Sequence, residues 1–161
     1  MYQIFPIQEE LETPSVILDW NSLSSEEKQQ YKLVSYVINS QEDFPTDNLL
    51  GLEKIKSMNI DFDKYTLLLS YNRTDGIVQS HRYTWRKNIS EGVFELLINF
   101  KVTNFENNGS DDNNNGSSGD NNDNSTSMEA DFVTYSCSAL LVNKLPPDFK
   151  VNFWFSSSKY L

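Results

Sequence analysis

Two hydrophobic periodicities divide this chain. From Ile60 onward apolar residues recur at every second position, the spacing of a strand with one buried face. Tyr65, Leu67, Leu69 and Tyr71 share one such face. After Asp75-Gly76, a turn signal, Ile77, Tyr83 and Trp85 share the next. Phe94, Leu96, Ile98, Phe100 and Val102 alternate with Glu95, Leu97, Asn99 and Lys101 in the most regular stretch. Val133, Tyr135, Cys137, Ala139 and Leu141 form another strand, and Phe149, Val151, Phe153 and Phe155 the last.

Before Ile60 the signals are mixed. "PSVILDW" predicts a short strand with Val16, Leu18 and Trp20 on one face. Ser24 with Glu27 three residues on is a capping box, a helix start. Tyr31 to Asn39 fits either a continuation of that helix or a strand, and its β-branched and aromatic residues favour the strand. Pro45 bars a long uninterrupted helix, and Thr46 is the expected cap of a second one carrying Leu49, Leu52, Ile55 and Met58. The pattern as a whole predicts an α+β fold. It is mainly an antiparallel β meander with one or two short helices near the N-terminal half, a helix covering the apolar face.

Composition changes the picture at one place. Residues 107–127 are almost wholly Asn, Asp, Ser and Gly. Such a tract has no apolar surface to offset its ordering entropy. It is expected to be a disordered insertion within a hairpin of a single domain spanning 1–161. Asp111-Asp112-Asn113-Asn114-Asn115-Gly116 matches the opening of an EF-hand loop. The twelfth position, however, is Asn122, a neutral amide where calcium needs a bidentate Glu, and the flanks alternate as strands. The match is what low complexity produces by chance.

The formal net charge of −10 repels phosphate backbones and anionic lipid, so neither nucleic acid nor membrane is expected as a partner. One cysteine excludes an intrachain disulfide. "MYQIFPIQEELETP" lacks the basic and apolar segments of a signal peptide, and no apolar run approaches a membrane span. A cytoplasmic location is expected.

Catalytic chemistry finds few residues. His81 is the only histidine, and its neighbour Ser80 points to the opposite face of a strand. Cys137 falls on an apolar face, where cysteine is usually a small core residue. One His and one Cys do not make a zinc site. Asp61 and Asp63 have the spacing of a turn that precedes a strand. No catalytic, cofactor-binding or metal-binding residue is therefore assigned, and no cofactor is expected. What remains is a surface. Arg82, Thr84 and Arg86 share the face opposite Tyr83 and Trp85, and Trp154 shares the polar face of the last strand with Lys150 and Asn152. Arg82, Arg86 and Trp154 are the residue types that interfaces favour.

"IDFDKYTLLL", entering the alternating region, and "ALLVNKLPPDFKV", closing it, resemble a group of small bacterial β-rich domains similar to the C-terminal domain of a protease-complex subunit. The resemblance covers about residues 31–156 and implies a fold and a binding role. Two function classes follow. The first is a non-catalytic protein-binding or interaction module, protease-associated if the resemblance holds. The alternative is a small hydrolase using surface carboxylates.

Overall fold

The computed structural model describes residues 1–103 and 132–159. The strands are β1 (Tyr2–Phe5), β2 (Glu9–Glu10), β3 (Ser15–Asp19), β4 (Ser35–Ile38), β5 (Tyr65–Asp75), β6 (Ile77–Asn88), β7 (Val93–Thr103), β8 (Phe132–Asn143) and β9 (Val151–Lys159). Two short helices, α1 (Ser25–Lys28) and α2 (Leu52–Lys56), lie in the N-terminal half. The fold is β-rich, as the period-two pattern predicts. Among the described residues no helix is long and apolar enough to cross a membrane.

The strands form two sheets. One has the order β1-β6-β7-β9, antiparallel except that β9 runs parallel to β7. The other has the order β2-β8-β5-β4, with β3 sharing the β2 edge of β8. One core cluster lies between the sheets. Leu68, Leu140 and Val142 of the five-stranded sheet meet Trp85, Leu96, Ile98 and Phe100 of the four-stranded one. The second cluster lies on the far side of the five-stranded sheet. There Phe44, Leu49, Leu52 and Ile55 cover Leu67, Leu69, Tyr71, Tyr135 and Cys137. The molecule is thus three layers deep, and β5 and β8 are buried on both faces.

This arrangement revises the single meander. β6 and β7 make the expected hairpin, but Asp75-Gly76 carries the chain from one sheet to the other. Gly76 makes that crossing at φ 98°, where a glycine is favoured. Its N–H donates to the Phe132 carbonyl at 3.0 Å, and its carbonyl accepts from Thr134 Oγ1 at 2.6 Å. β7 and β8 also pair in different sheets, so the connection between them joins the sheets and closes no hairpin. The 107–127 tract and its EF-hand-like opening lie outside the described residues.

Local expectations meet the structure unevenly. The capping box is present, with Ser24 Oγ accepting from Glu27 N–H at 3.1 Å and Glu27 Oε1 from Ser24 N–H at 2.7 Å. Strand structure in 31–39 is confined to β4. The second helix begins at Leu52, not at Thr46, because Gly51 at φ 71° interrupts the chain just before it. Glycine is required there, since a Cβ would meet the Pro14 ring at 2.7 Å. In β6 an extra residue between Val78 and Ser80 shifts the register. Val78, not Ile77, therefore packs into the core. β1 and β2 carry no clear alternation and were not expected.

Candidate functional site

The outer face of the four-stranded sheet follows from its register. Thr84, Leu97 and Trp154 stand side by side on β6, β7 and β9. Arg82, Asn99 and Ser156 form the row on one side of them, and Arg86, Glu95 and Asn152 the row on the other. Lys101 and Ser158 extend the face beyond Asn99. Residues directly opposite on paired strands share a face. The three sequence-chosen residues, Arg82, Arg86 and Trp154, therefore share one surface.

Their surroundings differ. Trp154 is 55% exposed, a large flat ring on the outside of the sheet. Arg86 is engaged within the molecule. Its Nε donates to Glu95 Oε1 at 2.8 Å, and its guanidinium lies 3.7 Å from the centre of the Tyr2 ring. Glu95 is only 5% exposed, and Arg86 is its ion-pair partner. Arg86 thus secures a buried carboxylate and is a poor docking residue.

Arg82 is exposed and, among the described residues, makes no ion pair. It lies on the wall of a groove of about 470 Å³, lined also by Ser80, Asn99, Lys101, Ser156 and Ser158. Ser156 Oγ donates to Asn99 Oδ1, which leaves the Asn99 amide N–H groups available. Two cations, an amide and three hydroxyls therefore line one groove, on a chain whose net charge is −10. Such a donor set complements an anionic group. Lys101, Ser156 and Ser158 were missed from sequence. Alternation puts Lys101 on the polar side of its strand, but only lateral register brings it beside Arg82.

A second cleft, of about 370 Å³, opens where the β2–β3 connection meets β6 and β8. His81 Nε2 and Glu10 Oε2 are 2.5 Å apart there, and Tyr83 Oη and Ser138 Oγ 2.7 Å apart. Cys137 lies in the wall, and its carbonyl accepts from Thr13 Oγ1. The cleft brings His81 near the backbone of Cys137, 56 residues away in the sequence, but the thiol packs in the core cluster on the far side of the five-stranded sheet. Cys137 is 3% exposed, and burial pushes its thiol up to about 11, partly offset by the Tyr71 hydroxyl. The described hydrogen bond of His81 runs to a carboxylate and not to a hydroxyl or thiol. A thiol reagent near pH 8 is expected to modify Cys137 about a hundredfold more slowly in the native than in the unfolded chain, because the thiolate fraction falls tenfold per unit of pKa. Equal rates would show a thiol that is already accessible and ionised.

Asp61 and Asp63 behave as a turn, with Asp61 Oδ1 accepting from Asp63 N–H at 3.1 Å. Among the described residues no group of three or more His, Cys, Asp or Glu is placed to hold a metal ion. Comparison with protein-family models, curated proteins and solved structures finds no match to this chain.

Proposed function

We propose that this chain is a non-catalytic binding module whose outer sheet face receives an acidic segment of a partner protein. The observation that carries the reading is the groove in which Arg82 and Lys101 converge among hydroxyl and amide donors. Guanidinium and ammonium groups bind carboxylates by charge-assisted hydrogen bonds, and Arg does so with two parallel bonds. Trp154 adds a rigid apolar surface that loses little rotamer entropy on burial. The resemblance seen in the sequence makes a protease complex the first partner class to examine. For the hydrolase alternative the nearest support is the Glu10–His81 pair, which lacks a hydrogen-bonded nucleophile among the described residues.

The test is selection of peptides from a random displayed library on the whole chain. Selected peptides are expected to be rich in Asp and Glu. Arg82→Glu combined with Lys101→Glu should weaken them at least tenfold, as should Trp154→Ala, with melting temperatures within a few degrees of the parent. Selection of neutral or basic peptides, or binding indifferent to these changes, removes the reading. If Trp154→Ala unfolds the domain, Trp154 is a core residue and the face has no aromatic anchor.

A further inference from the structure

The edge of the four-stranded sheet suggests how such a segment docks. β9 is the terminal strand of its sheet, and among the described residues no strand pairs with its far side. The phase of its ladder is set by one bond. Phe94 N–H donates to the Lys150 carbonyl at 3.0 Å, while Phe94 stands opposite Val151. In a parallel ladder that phase turns the backbone groups of Asn152, Trp154, Ser156 and Ser158 toward β7. The N–H and C=O groups of Val151, Phe153, Phe155, Ser157 and Lys159 therefore point away from the sheet, along a nine-residue strand.

Natural sheets blunt such edges with short strands, prolines, bulges or charges. β9 is long and contains no proline, its pairing register is unbroken, and its one charged residue is Lys159. Its two faces differ. The side chains of Val151 and Phe153 enter the core between the sheets, and Phe155 is left 37% exposed. On the outer face the short side chains of Ser156 and Ser158 lie between the edge and the groove cations.

We infer that β9 accepts an added β-strand from the partner, with apolar residues on its inner side and acidic residues on its outer side. The inference rests on the proposed binding role and specifies its mode. Main-chain hydrogen bonds to the outward groups supply the seating. Inward apolar residues extend the row of Val151, Phe153 and Phe155. Outward carboxylates pass over Ser156 and Ser158 toward Lys101 and Arg82. A second copy of the chain is a poorer occupant. Antiparallel self-pairing centred on Phe155 sets Phe153 against Ser157 and Val151 against Lys159, apolar against polar. It also brings together two chains of charge −10.

The experiment uses the same selected peptides and the whole chain. Ser157→Pro removes one outward N–H and leaves the ladder to β7 intact, a position at which an edge strand tolerates proline. It should keep the cooperative melt and bind about tenfold or more weakly. Ser156→Pro removes an inward N–H and should destabilise the fold. Hydrogen exchange gives a second readout that needs no variant. Bound peptide should slow the amides of Phe155 and Ser157, while those of Trp154 and Ser156 change little. Selected peptides should alternate apolar and acidic residues over roughly the length of a strand. Acidic peptides that depend on Arg82 and Lys101 but ignore Ser157→Pro, and leave the Phe155 and Ser157 amides unprotected, overturn strand addition and leave the binding role standing. Failure to select any peptide overturns both. Concentration-dependent dimerisation abolished by Ser157→Pro would give the edge to a second copy and overturn the partner assignment.

Discussion

Replacing Arg86 by alanine is expected to lower the stability of the domain by about 3 kcal/mol, the low end for breaking a buried ion pair because Arg86 keeps some contact with solvent. For a chain of this length that is roughly 6–12 °C in melting temperature. The cause is the carboxylate left behind. Glu95 sits on the outer face of the sheet but is 5% exposed, closed over by Arg86, which in turn packs on Tyr2. Removing the guanidinium strands a charge with little water to solvate it. Adding Glu95→Gln to Arg86→Ala should recover part of the loss, since no unpaired ion then remains. Arg82→Ala, exposed and without a described ion pair, should stay within about half a kcal/mol of the parent. Thermal melts of the three variants beside the parent decide the matter. If Arg86→Ala melts with the parent, the pair contributes nothing, and Arg86 returns to the list of free docking residues.

The second large effect is alkaline unfolding. Burial pushes up the hydroxyls of Tyr71 and Tyr135, that of Tyr83 to about 12, and the Cys137 thiol to about 11. Each folded-state value lies above the ordinary one, 9.0 for the thiol and 10.0 for the phenols. Below about pH 9 these groups are neutral in both states and their contribution is fully present. Above it the unfolded chain releases protons that the folded chain retains, so stability falls as pH rises toward the folded-state values. Together the four groups amount to several kcal/mol by about pH 11, comparable to the whole stability of many domains. A cooperative loss of structure is therefore expected between roughly pH 10 and 12. Circular dichroism would follow the loss, with the share of the tyrosinate absorbance that belongs to Tyr71, Tyr83 and Tyr135 rising in the same step. Cys137→Ala should move the midpoint upward, because one of the four titrations is gone. A stability flat from about pH 8 to 11 would show that these groups are open to water.

Both effects depend on burial, and burial separates what could be read along the chain from what could not. Alternation on β6, β7 and β9 correctly set Arg82, Arg86 and Trp154 on one face, because successive strand side chains point to opposite sides whatever the strand pairs with. It could not show that Glu95 would stand opposite Arg86 and withdraw it into an ion pair. Nor could it place Lys101 beside Arg82. Both are matters of lateral register, which in the β6–β7 hairpin is fixed by the turn between Asn88 and Val93 and not by the alternation along either strand.

By itself the sequence determined the β-rich class, the α1 capping box, the inward residues of the long strands apart from Ile77 and Phe149, and the low-complexity character of 107–127. Each of these is a local consequence of side-chain spacing or composition. The tertiary structure decided that there are two sheets, that β9 runs parallel to β7, and that β9 is an edge. One signal of the second sheet was present in "TLLLS" and "SALLVN". Their apolar residues at consecutive positions mark strands buried on both faces. Leu68, Leu140 and Val142 are the residues that a one-faced sheet would have left in water. Burying them required a second layer, and the chain supplied it by crossing over at Gly76. The groove and the open edge exist because of that crossing. It leaves the outer face of the four-stranded sheet and the far side of β9 uncovered by any described strand, while the five-stranded sheet is enclosed.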